Sequence, residues 1–152
     1  MDLTDQGLMV ARLSLAAVLG ALIGVEREYR GYPAGVRTIA LVCVGSAMFT
    51  EVSPLFRGDG ARIAAQIVSG IGFLGAGVIV REGLSVHGIT TAATIWTAAA
   101  VGVGVASHLY LVAVFGAVLV IVLLEASPIT KLLAEIGAQR RSERERIMAA
   151  TD

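Results

Sequence analysis

Residues 69–80 read SGIGFLGAGVIV, and they lie inside a twenty-residue run, 61–80, that carries no acidic side chain. Eight of those twelve positions are Gly, Ala, Ser or Val. A helix of that length crosses the ~30 Å hydrocarbon layer of a bilayer. So much glycine weakens a helix in water, yet in lipid it lets neighbouring helices approach closely. The stretch therefore decides for membrane-embedded helices packed through small residues.

Composition agrees. Hydrophobic residues make up 56% of the 152, with 5% aromatic and 18 glycines, and mean hydropathy is +0.80. An ordinary soluble domain carries less apolar residue than this. The apolar runs are continuous rather than alternating, which argues against a β-barrel. Cys43 stands alone in an apolar run, so it pairs with no other cysteine of the chain and reads as a small packing residue. No cleavable signal peptide is evident, since Asp2 and Asp5 stand where a basic flank would be needed.

Five apolar segments follow one another, at about 8–25, 36–52, 61–80, 88–107 and 109–125. The last two meet at Ser107-His108-Leu109 and form either a tight hairpin or one long broken helix. Charge decides between them. With five spans, Arg27, Arg30, Arg37, Arg81, Lys131, Arg140, Arg141, Arg144 and Arg146 share one side, against Arg12, Arg57 and Arg62 on the other. With four, the tail would sit opposite the first loop. The positive-inside rule selects five spans, N-terminus out and C-terminus in. The fold class expected is an all-α polytopic bundle, with a transmembrane domain over 1–126 and a cytoplasmic tail over 127–152. In that tail Ser127-Pro128 opens a helix whose Ile129, Leu132, Leu133 and Ile136 form an apolar stripe suited to the membrane surface. QRRSERER then follows as a solvated charged end.

Three clusters could carry chemistry. Gly70-x-Gly72-x-x-Gly75 matches the dinucleotide fingerprint in form, but the position twenty beyond is Ile95 rather than an acid, so nucleotide binding is excluded. Gly70, Gly72, Gly75 and Gly77 instead serve helix packing, or mark a helix unwound to expose carbonyls to an ion or solute. Gly20-x-x-x-Gly24 and the row Ala98, Gly102, Ala106 read as packing faces. The second cluster is GVEREYRGYPAGVRT, residues 24–38, which gathers Glu26, Arg27, Glu28, Arg37 and Thr38 at the cytoplasmic mouth of segments 1 and 2, near Arg81. Glu26 abuts the apolar run and needs a partner, for which Arg37 across the hairpin is a candidate. Glu26 and Glu28 lie two apart on a helix and cannot share one face, so they make a weak magnesium site. The third cluster is polar groups inside spans: Ser46, Gln66, Ser69, Thr90, Thr91, Thr94, Thr97 and Trp96. Gln66, with an amide to satisfy, could line a polar path with Ser69 and Thr90/Thr91. Glu51 and Glu125 sit at span ends and are assigned no chemistry. No hydrolase elbow, zinc motif, phosphate loop or cofactor motif is present, so an enzyme is the least favoured class.

GVERE, PAGVRT-IALVCVGSAMF, ARIAAQIVSGIGFLGAGVIVREG and GITTAATIWTAAAVGVG together resemble the MgtC/SapB family of bacterial inner-membrane proteins, over roughly residues 10–125. The resemblance implies a multi-pass plasma-membrane protein tied to growth at low magnesium, and a role in modulating the F-type ATP synthase and membrane potential. It also implies a soluble C-terminal ACT-like domain in larger members, in place of which only a short charged tail stands here. Ile39 stands where the family pattern carries histidine. Expected partners are the lipid bilayer, a second copy in a homodimer and a membrane complex such as the F-type ATP synthase, with no nucleic acid. Two functions compete: a non-enzymatic membrane regulator acting by helix contact, and a small oligomeric channel or transporter for Mg2+, another cation or a small solute.

Overall fold

A computed structural model of the chain describes residues 2–55, 60–126 and, singly, 140. It divides into two compact units, 1–121 and 122–152. The described part of the second unit is the last turn of a helix and Arg140. The amphipathic stripe and charged tail expected over 127–152 otherwise lie outside the described residues.

Among the described residues five α-helices follow in order: α1 (Leu3–Tyr29), α2 (Val36–Val52), α3 (Gly60–Gly77), α4 (Ile89–Ala106) and α5 (Tyr110–Glu125). A short hairpin, β1 (Val80–Glu82) with β2 (Ser85–His87), joins α3 to α4. Three helices among the described residues are long and apolar enough to cross a membrane: α1, α2 with its 3-10 extension to Leu55, and α4. The apolar parts of α3 and α5 are shorter. At ~1.5 Å per residue, α5 is about 24 Å long against a ~30 Å hydrocarbon core. All five apolar segments are thus helices, and three of them meet the length of a full crossing.

Local chemistry sets the boundaries. A capping box starts α1 earlier than the apolar run suggests: the Asp2 carboxylate accepts from the Leu3 amide at 2.7 Å, and Asp5 accepts from the Asp2 amide at 3.2 Å. The helix ends in a Schellman motif. Gly31 at φ 74 donates to the Glu28 carbonyl, and Tyr32 donates to that of Arg27. The same motif ends α4, where His108 donates to Val105 and Leu109 to Gly104. There His108, at φ 63, takes the left-handed position that glycine usually fills. So 107–109 is a hairpin and not a continuous helix. A Cβ on Gly104 would lie 3.4 Å from that of Ala113, and one on Gly116 3.9 Å from Val101. Those pairings run antiparallel.

The third connection departs from the sequence reading, which extends segment 3 to Val80. Here α3 stops at Gly77 because Val80 pairs with His87, Arg81 with Val86 and Glu82 with Ser85. Gly83, at φ 61, occupies the first turn position, where a type II′ hairpin calls for glycine. The Glu-Gly-Leu-Ser spacing is the signal that could have revealed it. A helix over Gly70–Gly77 also removes the unwound-helix alternative, since α3 runs unbroken through all four glycines.

The core lies where α1, α2 and α4 meet. Ala16, Ile23, Ile39, Cys43, Ala47, Ala98 and Val105 are fully buried there. Glycine brings the backbones together. A Cβ at Gly20 would stand 2.9 Å from the Ala40 Cα, and one at Gly24 2.5 Å from the Val36 Cα, so that i, i+4 glycines on α1 seat i, i+4 positions on α2. Gly102 of α4 lies directly against the Cys43 carbonyl of α2, and the Cys43 thiol donates to the Ala98 carbonyl at 2.9 Å. Three backbones this close leave no open path between them.

Candidate functional site

The last turn of α1 continues past the apolar run, and that carries Glu26 and Arg27 into a buried position between α1 and the start of α4. Arg27 is 2% exposed. Its Nη2 donates to Thr91 Oγ1 at 3.2 Å, and its guanidinium stacks 3.5 Å above the Tyr32 ring. Tyr32 reaches that place because it is the second residue after the helix cap. The Schellman motif brings that residue back over the helix's last turn, where an apolar contact is usual. Here the contact is a cation–π stack, worth up to about 2 kcal/mol when desolvated. Glu26, also buried, supplies the counter-charge: its carboxylate lies 3.7 Å from Arg27 Nη1 and 2.8 Å from Arg30 Nε.

Glu28 has a different task. Gly35, the N-cap of α2, offers no side chain to the helix, and Glu28 Oε2 accepts the Val36 amide at 2.8 Å instead. A carboxylate at a helix N-terminus is favourable both as acceptor and as charge. A Cβ at 35 would meet Glu28 Oε2 at 2.6 Å, so a side chain there would push the carboxylate off the Val36 amide. The expected Glu26–Arg37 pair is not formed. Glu26 is held by arginines of its own helix, and Arg37 lies exposed on the first turn of α2, followed by exposed Thr38.

The remaining sequence-predicted residues do not converge on this cluster. Thr91 does, through Arg27, and Thr94 is buried beside it with its hydroxyl returned to the Thr90 carbonyl at 2.8 Å. Thr90 is exposed, and Trp96 is half-exposed on α4. Arg81 sits in the hairpin with its Nε on the Gly83 carbonyl. Gln66 and Ser69 are on α3, exposed and away from Thr91. The path proposed through Gln66, Ser69, Thr90 and Thr91 is therefore not assembled within one chain. Of the α3 glycines, Gly75 is in van der Waals range of Ala92, while Gly70, Gly72 and Gly77 have nothing within 4 Å. Among the described residues, no three His, Cys, Asp or Glu side chains come together as a metal would need.

Sequence reasoning missed a second ion pair at the opposite end of the bundle. Arg12 of α1 is bound by both carboxylate oxygens of Glu51 on α2: Nε to Oε1, and Nη2 to Oε2 at 3.2 Å. Tyr110 of α5 lies near enough to the guanidinium to favour its charge. Glu51, a span-end residue that the sequence assigns no chemistry, is 8% exposed. The signal was present. An arginine inside an apolar run demands a partner, and under the five-span topology the start of α1 and the end of α2 share one side.

A cleft of about 580 Å3 separates α2 from α3, lined by apolar side chains with Thr38, Ser46 and Gln66 as its polar groups.

One prediction concerns the Arg27 cluster. Tyr32→Leu and Thr91→Val are each expected to lower unfolding free energy by about 1–2 kcal/mol, the first by removing the stack and the second by stranding a charged donor. Denaturant unfolding in detergent, read by the fluorescence of the lone Trp96, measures it. Tyr29, 91% exposed, is the control. A Tyr32→Leu variant as stable as Tyr29→Leu would remove the stack from the account.

Comparison with known proteins places this geometry. The family model described as the MgtC family matches residues 13–132. The chain is 54% identical over 111 residues to Protein MgtC of Brucella abortus, covering 69% of this chain and 47% of that protein. It is 57% identical over 95 residues to Protein MgtC of Salmonella typhimurium, covering 62% and 41%. An uncharacterized Synechocystis protein is 51% identical over 113 residues, covering 73% and 48%. The chain spans about half the length of the curated relatives it matches. No solved structure matches. Three membrane-length helices, a glycine-packed core and a family match over most of its length together place this chain in the MgtC family.

Proposed function

We propose that this chain is a multi-pass protein of the bacterial inner membrane that works without enzymatic chemistry, as a regulator contacting another membrane complex. Its proposed role is adaptation to magnesium limitation through modulation of the F-type ATP synthase and membrane potential. The proposed topology has five crossings, N-terminus out and C-terminus in, with the Arg27 cluster facing the cytoplasm. One observation carries the reading beyond family membership: the α1–α2–α4 core is closed by backbone contact at Gly20, Gly24 and Gly102, and its buried charges neutralise each other. Such a body is built to present surfaces rather than to conduct through its centre.

A deletion strain complemented with the wild-type gene tests this by growth at low magnesium and by membrane potential. Loss of growth with a shifted potential, both restored on complementation, is expected. A strain indifferent to magnesium and unchanged in potential would overturn the proposal. The α2–α3 cleft, with Ser46 and Gln66 on its walls, favours a second reading as a small oligomeric cation or solute channel. Purified protein in liposomes separates the two. The regulator reading expects no flux of magnesium, protons or monovalent cations, whereas a saturable flux lost on Gln66→Leu would establish the channel.

A further inference from the structure

Helix α3 turns a regular face toward α2 and leaves a gap there. Ile63, Gln66, Ile67, Gly70, Ile71 and Leu74 line the α2–α3 cleft from one side, at the spacing of one helix face. From the other side α2 presents the same spacing, from Thr38 through Gly45 and Ser46 to Phe49. Gly20, Gly24 and Gly102 each seat a neighbouring backbone, whereas Gly45 and Gly70, which line the cleft, have nothing within 4 Å. Here the missing side chains make a hollow and not a contact. It extends over eleven residues of each helix, about 16 Å.

Size and chemistry decide what fills it. Walls this apolar hold water poorly, and a space of this kind stays dry unless polar groups converge on it. A partner helix is too wide: at ~10 Å diameter, 16 Å of helix takes up roughly 1,250 Å3, against a cleft of about 580 Å3. A single hydrocarbon chain is slender enough, and it is the material that surrounds a membrane helix at this depth.

The polar groups name the rest of the molecule. Gln66 lies in the half of the cleft nearer the start of α3, and Arg62 stands one turn, about 6 Å, closer to that start on the same side of the helix. Helical side chains lean toward the N-terminus, so both are directed to the membrane surface at which α3 begins. Both are exposed, and neither side chain has a hydrogen bond or ion pair among the described residues. From Gln66 to Leu74 the α3 wall is then apolar for about 12 Å, close to the ~15 Å that one leaflet contributes to the hydrocarbon core. Cation, hydrogen-bond donor and apolar trough thus follow one another with depth. A phospholipid presents phosphate, ester carbonyl and acyl chain in that same order.

We propose that the α2–α3 cleft is a binding site for one membrane glycerophospholipid. Its acyl chain lies in the trough at Gly45 and Gly70, its ester carbonyl accepts from the Gln66 amide, and its phosphate pairs with Arg62. The lipid belongs to the leaflet at which α3 begins, the outer one in the topology proposed above. An amide left bare in hydrocarbon is costly, and the ester supplies its acceptor. The guanidinium gains an anion that it can grip with two N–H groups. The chain fills the packing that α2 and α3 leave open.

The test is lipid binding by the purified, delipidated chain in detergent. Dioleoylphosphatidylglycerol is titrated in and bound lipid is counted by native mass spectrometry, with one per chain expected at saturation. Arg62→Gln should weaken binding roughly ten- to hundred-fold, the range of a hydrogen bond to a charged group, and Gln66→Leu roughly three- to ten-fold. Dioleoylglycerol, with the same chains and esters but no phosphate, should bind the native chain as weakly as the phospholipid binds Arg62→Gln. Gly70→Leu fills the trough and should abolish binding. In bilayers, a phospholipid with a photoreactive group in mid-chain should label Phe49 and Leu74 in preference to Leu111 of α5, which is 84% exposed. Equal affinity for the two lipids, full binding by Gly70→Leu, or labelling no greater in the cleft than at Leu111 would each overturn the proposal. Should Gly70→Leu fail to fold, labelling of the native chain still decides. Every readout is binding, so the result stands apart from the growth, potential and flux measurements.

Discussion

Gly102→Ala is expected to destabilise the protein by about 3 kcal/mol or more, the upper end of the range for overpacking a filled core. A Cβ added there falls on the Cys43 carbonyl and 2.9 Å from its carbon. Both are backbone atoms of α2, so no side chain can rotate away, and relief requires α2 and α4 to separate. Separation in turn breaks the Cys43 thiol's bond to Ala98 and opens the buried face around Ala98, Ala99 and Val105. Gly70→Ala is the matched contrast. With nothing within 4 Å, it should leave stability unchanged or raise it by up to about 1 kcal/mol through helix propensity. Denaturant unfolding of the two purified variants in one detergent measures both. Equal stabilities would mean that α2 and α4 do not meet at this distance.

The second large effect belongs to Arg12 and Glu51. Removing either partner alone, as Arg12→Met or Glu51→Met, strands the other charge in a part of the bundle that is nearly closed to solvent. The expected loss is about 3–5 kcal/mol. Replacing both with methionine should recover most of it, because a buried pair and a well-packed apolar pair are of similar worth. The full cycle of singles and double isolates the coupling. A coupling below about 1 kcal/mol would show the pair to be hydrated, as surface pairs are.

Two charged ties therefore join the helices of one core at opposite ends, the Arg12–Glu51 ion pair between α1 and α2 and the Arg27–Thr91 hydrogen bond between α1 and α4, fifteen positions or about 22 Å apart along α1. Between them lie small, closely seated residues and no continuous polar lining. This arrangement explains why the polar positions read from the sequence do not form a conduit. Thr91 and Thr94 are committed to the core, while Gln66 and Ser69 face outward.

Much was legible without coordinates. Hydropathy and segment length are local properties, so the five helices, the near-exact span of α2 and the tight turn at 107–109 could be read from order and composition alone. The close seating of Gly20, Gly24 and Gly102 was also legible, because small residues spaced four apart leave one face of a helix bare. Some signals were present and passed over, such as the Asp2–Asp5 capping box that starts α1 at Leu3 and the Gly83 turn that ends α3 early.

By itself the sequence determined that this chain is a helical membrane protein of the MgtC family, since burial in lipid is dictated by runs of residue type. Tertiary structure alone decided which charges meet. Arg12 finds Glu51 across thirty-nine positions, Arg27 finds Thr91 across sixty-four, and Glu28 caps α2 while Glu26 stays with its own helix. Those choices depend on how far each helix is rotated about its axis and how deeply it sits against the next. Neither quantity is written in any one segment, because both are set by close packing between segments.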